Sequence, residues 1–394
     1  MVMASETHHD RPGLLILALA AFAAVTTEML PVGLLPLISR AFGHSESVTG
    51  LLITLYAVMV MVLSVPMTLA TRRVDGKRLL VVAMASYCLS NAICLVAPSF
   101  AMFAGARALG GITHAVFFSI CIGYAARLVP PARTGRALAL VSTGPTAAFI
   151  LGAPLATAIG EAAGWRAAFA LLVLLTLVTL VLISARLPAV ATPAEPQEAP
   201  HGGSRRAAVT AISANALTYL GQFTLYTYIT VVLLRSGAPH AAIAPLLFLF
   251  GVIGLAGLWR AAPLLDRDPL RAALTILGIV ALGILAVGAS VPTLGLVVLS
   301  AVVWNAAFGP VASLFQSATI RTNALSPELS GAWINATANF GIAGGALLGG
   351  VVLDELGVAA LAWVGSVPII LALATMARGF VSARSPAVPA RRQP

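Results

Sequence analysis

Glu28 is the residue on which chemistry is most readily built. It sits in Thr26-Thr27-Glu28-Met29-Leu30-Pro31, within an apolar run over about residues 13–38. That run is long enough to cross a bilayer. A carboxylate inside it costs several kcal/mol unless it meets water, a partner or a proton. Of the 13 acidic residues, Glu28 is the one placed well inside an apolar run, so it is the first candidate to carry a proton or touch a solute. The alternative is a permanently neutral acid bonded to a neighbouring helix. Arg107, Gly111, His114 and Phe118 follow at intervals of four, three and four, on one helical face. Arg107 keeps its proton and needs an anion or carbonyls if buried; it is either part of a wet face or a structural pin. Histidine changes charge near neutral pH, so Glu28 and His114 are the expected proton-coupling pair.

A second set carries no charge. Asn215, Thr218, Gln222 and Tyr226 recur at intervals of three, four and four, and Asn305, Gln316, Asn335 and Asn339 lie in later apolar runs. Amides and hydroxyls facing lipid are costly, so they face inward. Beside Phe118, Tyr226, Trp304 and Trp333, such groups suit an uncharged polyhydroxyl or amphiphilic solute. The expected solute site is therefore Thr27, Glu28, His114, Phe118, Asn215, Gln222, Tyr226, Asn305, Asn335 and Asn339. The alternative is hydrogen bonding that only holds helices together.

The elements that position these residues are membrane spans. The 394 residues are 59% hydrophobic and only 9% charged, against about 25% charged in a soluble protein. Too little polar surface remains to cover a water-soluble fold. The runs are also too long for the strands of a membrane barrel. Cys88, Cys94 and Cys121 fall in apolar runs and read as small core residues. The first apolar run is too long for a cleavable signal peptide and is followed by similar runs.

Twelve spans are expected: 13–38, 48–70, 78–97, 100–126, 137–160, 166–186, 207–234, 241–263, 270–290, 292–318, 328–352 and 357–378. Most connections are short. Residues 187–206 hold four prolines and two glycines and read as a flexible linker. This divides the chain into 1–186, the cytoplasmic linker 187–206, and 207–394 with a short tail. Nineteen of the 23 basic residues fall on alternate loops and the terminal segments, on the side of the N-terminus; three, Arg40, Arg166 and Arg235, fall on the other. That asymmetry puts both termini in the cytoplasm. It also explains the net charge of +10 without nucleic acid.

The halves echo each other. Thr71-Arg72-Arg73-Val74-Asp75-Gly76-Lys77-Arg78 follows span 2, and Asp266-Arg267-Asp268-Pro269-Leu270-Arg271 follows span 8. Two related halves around a midplane site are what a rocking transporter requires. Pro145 and Pro154, with Gly152, are expected to bend span 5, and Arg72, Arg107, Asp266 and Arg267 to be structural or gating residues.

With Thr26-Thr27-Glu28 and Pro31-Val32-Gly33 in span 1, His114-Ala115-Val116-Phe117-Phe118 in span 4, Gly152-Ala153-Pro154-Leu155 in span 5, Tyr226-Thr227-Tyr228-Ile229 in span 7 and Asn339-Phe340-Gly341-Ile342 in span 11, the chain resembles the major facilitator superfamily. It is most similar to the twelve-span drug:proton antiporters, and among them to sugar efflux transporters. The loop after span 2 departs from the pattern, with Pro66 and Thr71 near the family's Gly and Asp. The resemblance implies an all-α bundle of two pseudo-symmetric six-helix halves in the inner membrane. It implies proton-driven export of sugars, sugar-like compounds or small drugs, with spans 1 and 4 meeting at the cavity. Antibiotic efflux without a sugar role, import and passive facilitation are the alternatives. No nucleotide-binding loop, metal-ligand cluster or hydrolase elbow occurs. No cofactor, metal or enzymatic activity is expected; the partners are solute, protons and lipid, and the chain is expected to act as a monomer.

Overall fold

The computed structural model describes residues 10–71, 73–130, 133–190 and 203–384. Arg72, most of the Pro/Gly-rich linker and the last ten residues lie outside the described residues. Among the described residues, twelve helices are long and apolar enough to span a membrane: α1 (Arg11–Phe42), α2 (Glu46–Thr71), α3 (Gly76–Val96), α4 (Phe100–Arg127), α5 (Arg136–Ala163), α6 (Trp165–Arg186), α7 (Arg205–Arg235), α8 (His240–Arg267), α9 (Pro269–Ser290), α10 (Leu294–Ile320), α11 (Leu329–Glu355) and α12 (Ala360–Arg378). All twelve expected spans are present, with ends displaced by four residues or fewer. The helices run past the apolar stretches into the flanking polar residues, so α1 includes Arg40 and α8 includes Arg267.

The packing is duplicated. α1 packs on α5 as α7 packs on α11, α2 on α4 as α8 on α10, α3 on α6 as α9 on α12, and α3 on α4 as α9 on α10. The two echoing loops have the same cap: Asp75 accepts from the Arg78 amide at 2.8 Å, and Asp268 from the Arg271 amide at 3.0 Å. An aspartate at that position satisfies an amide that the helix start leaves free. Leu282 and Trp259 are exposed, on an outer surface suited to lipid.

α2 packs against α11, and α5 against α8, across the two halves. Gly251 of α8 lies so close to α5 that a Cβ there would sit 2.7 Å from the Phe149 carbonyl oxygen and the Ile150 Cα. α5 carries a π-helical turn, Ala148–Gly152, bracketed by Pro145 and Pro154. A proline lacks the amide that continues the helical ladder, which accounts for irregular winding here. α7 turns at Thr227 and Tyr228, and α10 at Gly309 and Pro310.

Candidate functional site

Between the halves lies a cavity of about 320 Å³. Its polar wall is Glu28, His114, Thr146, Gln222, Asn305, Asn335 and Asn339; its apolar wall includes Phe118, Phe149, Phe223, Phe250 and Phe308, with Tyr219 and Tyr226. The lining runs from Glu28, midway along α1, toward Leu258 and Ala312 on the side of the chain termini. At the opposite face the halves are tied together. Arg235 Nη2 lies 2.9 Å from Glu46 Oε2, His240 Nδ1 3.4 Å from Glu161 Oε1, and Ser47 donates to Asp354 Oδ2 at 2.5 Å.

Two prolines in α1 explain how Glu28 is held. Pro31 has no amide to offer Thr27, four residues earlier, so the Thr27 carbonyl lacks its helical partner. Arg107 fills the gap, with Nη1 at 2.6 Å from the Thr27 oxygen and Nη2 at 3.0 Å from the Glu28 carbonyl. Its guanidinium also lies over the Tyr56 ring, 4.3 Å from the centroid. Pro36 frees the Val32 carbonyl in the same way, and Thr230 of α7 donates to it at 3.1 Å. α1 is thus fastened to α4 on one side of Glu28 and to α7 on the other.

The Glu28 side chain is buried, with Oε2 at 3.7 Å from His114 Nε2. His114 Nδ1 is 2.9 Å from the Tyr56 hydroxyl, and its ring stacks on Phe118 at 4.5 Å between centroids. A Tyr56 hydroxyl donated to Nδ1 leaves the ring proton on Nε2, facing the carboxylate. Glu28 Oε1 is buried without a hydrogen-bond partner.

Eight of the ten expected solute-site residues line this cavity: Glu28, His114, Phe118, Gln222, Tyr226, Asn305, Asn335 and Asn339. Pro145 lines it too. Thr27 and Asn215 do not. Thr27 is one residue round the helix from Glu28, points into the first half, and accepts from Asn91 Nδ2 at 3.1 Å. Asn215 lies about three turns nearer the terminal face than Tyr226 and donates to the Ile334 carbonyl and Thr337 Oγ1, at 3.0 and 2.9 Å, fastening α7 to α11. Arg107 is equally shut away, 1% exposed, so the α4 face it shares with His114 is dry at its level. Asp266 and Arg267 are exposed at the end of α8, and Asp266 lies 3.9 Å from Arg321. Trp333 and Gln316 are outside the cavity lining.

Sequence reasoning missed Tyr56, which was legible as a hydroxyl in the middle of a span. It also missed Phe149, Phe250 and Phe308, whose apolar side chains give no signal that separates cavity from lipid.

A family model described as Major Facilitator Superfamily matches residues 17–331. The chain belongs to the major facilitator superfamily. This superfamily member is 30% identical over 356 residues to a probable sugar efflux transporter of Mannheimia succiniciproducens, covering 90% of each chain. It is 34% identical over 363 residues to a chloramphenicol efflux pump of Mycobacterium tuberculosis, covering 86% of this chain and 85% of that one. Among solved structures, a bacterial homologue of the human lysosomal transporter Spinster, in an inward-facing and unoccupied conformation, superposes with a TM-score of 0.72. It has 14% identity and covers 96% of this chain and 99% of the other. The superfamily member is a multi-pass membrane transporter of small molecules, not an enzyme. Its cavity offers rings for an apolar body, amides for polar groups, and the carboxyl group of Glu28.

Proposed function

We propose that this transporter exports small uncharged solutes across the inner (plasma) membrane in exchange for protons, with amphiphilic drugs as its first substrates and sugar-like compounds as a lesser class. It acts as a monomer of two six-helix halves, 1–186 and 207–394, joined by the linker 187–206. Both termini are cytoplasmic, as the basic residues on their side of the bundle favour. With that orientation, the ties at the opposite face make the structure an inward-facing state.

One observation carries the reading: the buried, unpartnered Oε1 of Glu28 in the cavity wall. A proton would satisfy that oxygen, and so would a donor on a solute. The two therefore compete for one atom, which is the requirement for exchange. Arg107 behind the Glu28 backbone and His114 beside the carboxyl hold the group in place for both. One charge moving across 100 mV contributes about 2.3 kcal/mol, enough for roughly a fiftyfold solute gradient. The names of the relatives support efflux, and the aromatic wall favours an amphiphile over a sugar.

The test is transport in proteoliposomes with chloramphenicol and a thiogalactoside, with and without an imposed pH gradient. Wild type should move chloramphenicol uphill only with the gradient. Glu28→Gln should keep counterflow and lose uphill movement. Uphill export by Glu28→Gln at the wild-type rate would remove Glu28 as the coupling site, and gradient-independent counterflow alone in wild type would make the protein a facilitator.

A further inference from the structure

The amides of the cavity are oriented by partners that can play only one role. Trp304 Nε1–H, a donor only, lies 2.6 Å from Gln222, so the Gln222 oxygen must face it and the amide NH2 is left for the cavity. Trp304 is fully buried and does not itself line the cavity. The Ala301 carbonyl, an acceptor only, lies 2.8 Å from the Asn305 amide nitrogen. That leaves Asn305 Oδ1 free. The Asn335 carbonyl takes the Asn339 amide nitrogen at 3.0 Å, and Asn339 Oδ1 is buried without a partner. Glu28 Oε1 makes a third such acceptor. The cavity wall therefore carries three unpaired acceptors, of which Glu28 Oε1 and Asn339 Oδ1 lie just beneath its surface. Against them stand the Gln222 amide, the second Asn305 amide hydrogen and the His114 Nε2–H. Asn335 is taken up by Ser64 Oγ at 3.0 Å and Asn339 Nδ2 at 3.3 Å, and Thr146 donates to the Ser142 carbonyl. The hydroxyls of Tyr219 and Tyr226 serve either role. Among the described residues, no Lys or Arg lines the cavity. The Arg107 guanidinium, bonded to the Glu28 carbonyl, offsets the Glu28 charge from behind.

We infer that the solute is selected as a hydrogen-bond donor: an electrically neutral molecule with an aromatic or aliphatic body and at least two O–H or amide N–H groups, read by Asn305 and Asn339, with Glu28 as the third acceptor. An anion meets acceptors and no cation. A cation gains little from a carboxylate already balanced by a guanidinium. A buried acceptor left unpaired costs about 1–3 kcal/mol, so a solute whose hydroxyls are capped is rejected.

This rests on the efflux reading and is tested apart from it. Chloramphenicol, its di-O-methyl ether and its deacylated amine are compared by equilibrium dialysis against the whole protein in lipid nanodiscs. Chloramphenicol should bind about tenfold more tightly than the ether, the equivalent of about 1.4 kcal/mol. The ratio should fall toward one in Asn339→Leu and in Asn305→Leu, two independent variants. Equal binding of the ether by wild type overturns the donor requirement while leaving a transporter of amphiphiles. Tightest binding of the amine overturns neutrality. Binding of none of the three removes the amphiphile reading, and this inference with it.

Discussion

Arg107 donates to the carbonyl of Thr27 at 2.6 Å, the one carbonyl that Pro31 deprives of its helical amide. A cation at the core of a membrane bundle is expensive. Here it has two carbonyls and the Tyr56 ring, and the proline that weakens α1 supplies its anchor. The same device at Pro36 ties α1 to Thr230 of α7. The helix that carries Glu28 is thereby bonded to both halves of the molecule.

This predicts coupling between Arg107 and Pro31. Arg107→Leu strands a buried carbonyl, at roughly 1–3 kcal/mol, and should lower the unfolding midpoint in detergent. Pro31→Ala restores the missing amide, so it should recover part of that loss in the Arg107→Leu background. A coupling of roughly 0.5–3 kcal/mol is expected from the double-mutant cycle. Strictly additive effects would show that Thr27 is not the shared acceptor.

Tyr56 should act on transport through His114. Tyr56→Phe deletes the hydroxyl 2.9 Å from Nδ1 and releases the tautomer that faces Glu28. Uphill export should slow by roughly two- to tenfold, the worth of about 0.5–1.5 kcal/mol for one neutral hydrogen bond. Chloramphenicol binding should stay within about twofold, because Tyr56 does not line the cavity. An unaltered pH profile of export in this variant would make Tyr56 a packing residue only.

The spans were legible because hydropathy reports length directly, as α6 and α9 show by matching their expected ends within one residue. The cavity amides were legible because each is a polar group in an apolar run. Periodicity alone could not separate Gln222, in the cavity, from Asn215, which lies on the same stripe but bonds α11. That distinction depends on where the neighbouring half begins to diverge, a tertiary property. Arg107 was recognisable as needing an anion or carbonyls if buried; that Pro31 frees the Thr27 carbonyl for it emerges only from the fold.

The ties at the face away from the termini should set the conformational balance unequally. Arg235 and His240 are each about half exposed as side chains, and such pairs contribute about 1 kcal/mol at most. Arg235→Gln should therefore shift the inward–outward equilibrium by less than about fivefold. Ser47 is buried where it donates to Asp354, so Asp354→Ala should shift it further. Spin labels at Arg40 and Leu356 would read the separation of the halves at this face. Equal distance distributions in Asp354→Ala and wild type would assign closure to the apolar contacts instead.

The approach of α1 to α5 should limit the volume allowed at Gly152. A Cβ there would lie 2.1 Å from Thr26 Oγ1 and 3.1 Å from Thr26 Cβ. The Thr26 hydroxyl is already held by the Phe22 carbonyl at 2.7 Å, so the side chain cannot swing clear without losing that bond. Gly152→Ala should cost about 1–3 kcal/mol through overpacking, and it falls on the last residue of the π-helical turn, where α5 must wind irregularly. Thr26→Gly removes every atom of the clash, so Gly152→Ala/Thr26→Gly should regain the stability and export rate that Gly152→Ala loses. If the double variant is no better than Gly152→Ala, the defect lies in the winding of α5 rather than in its distance from α1.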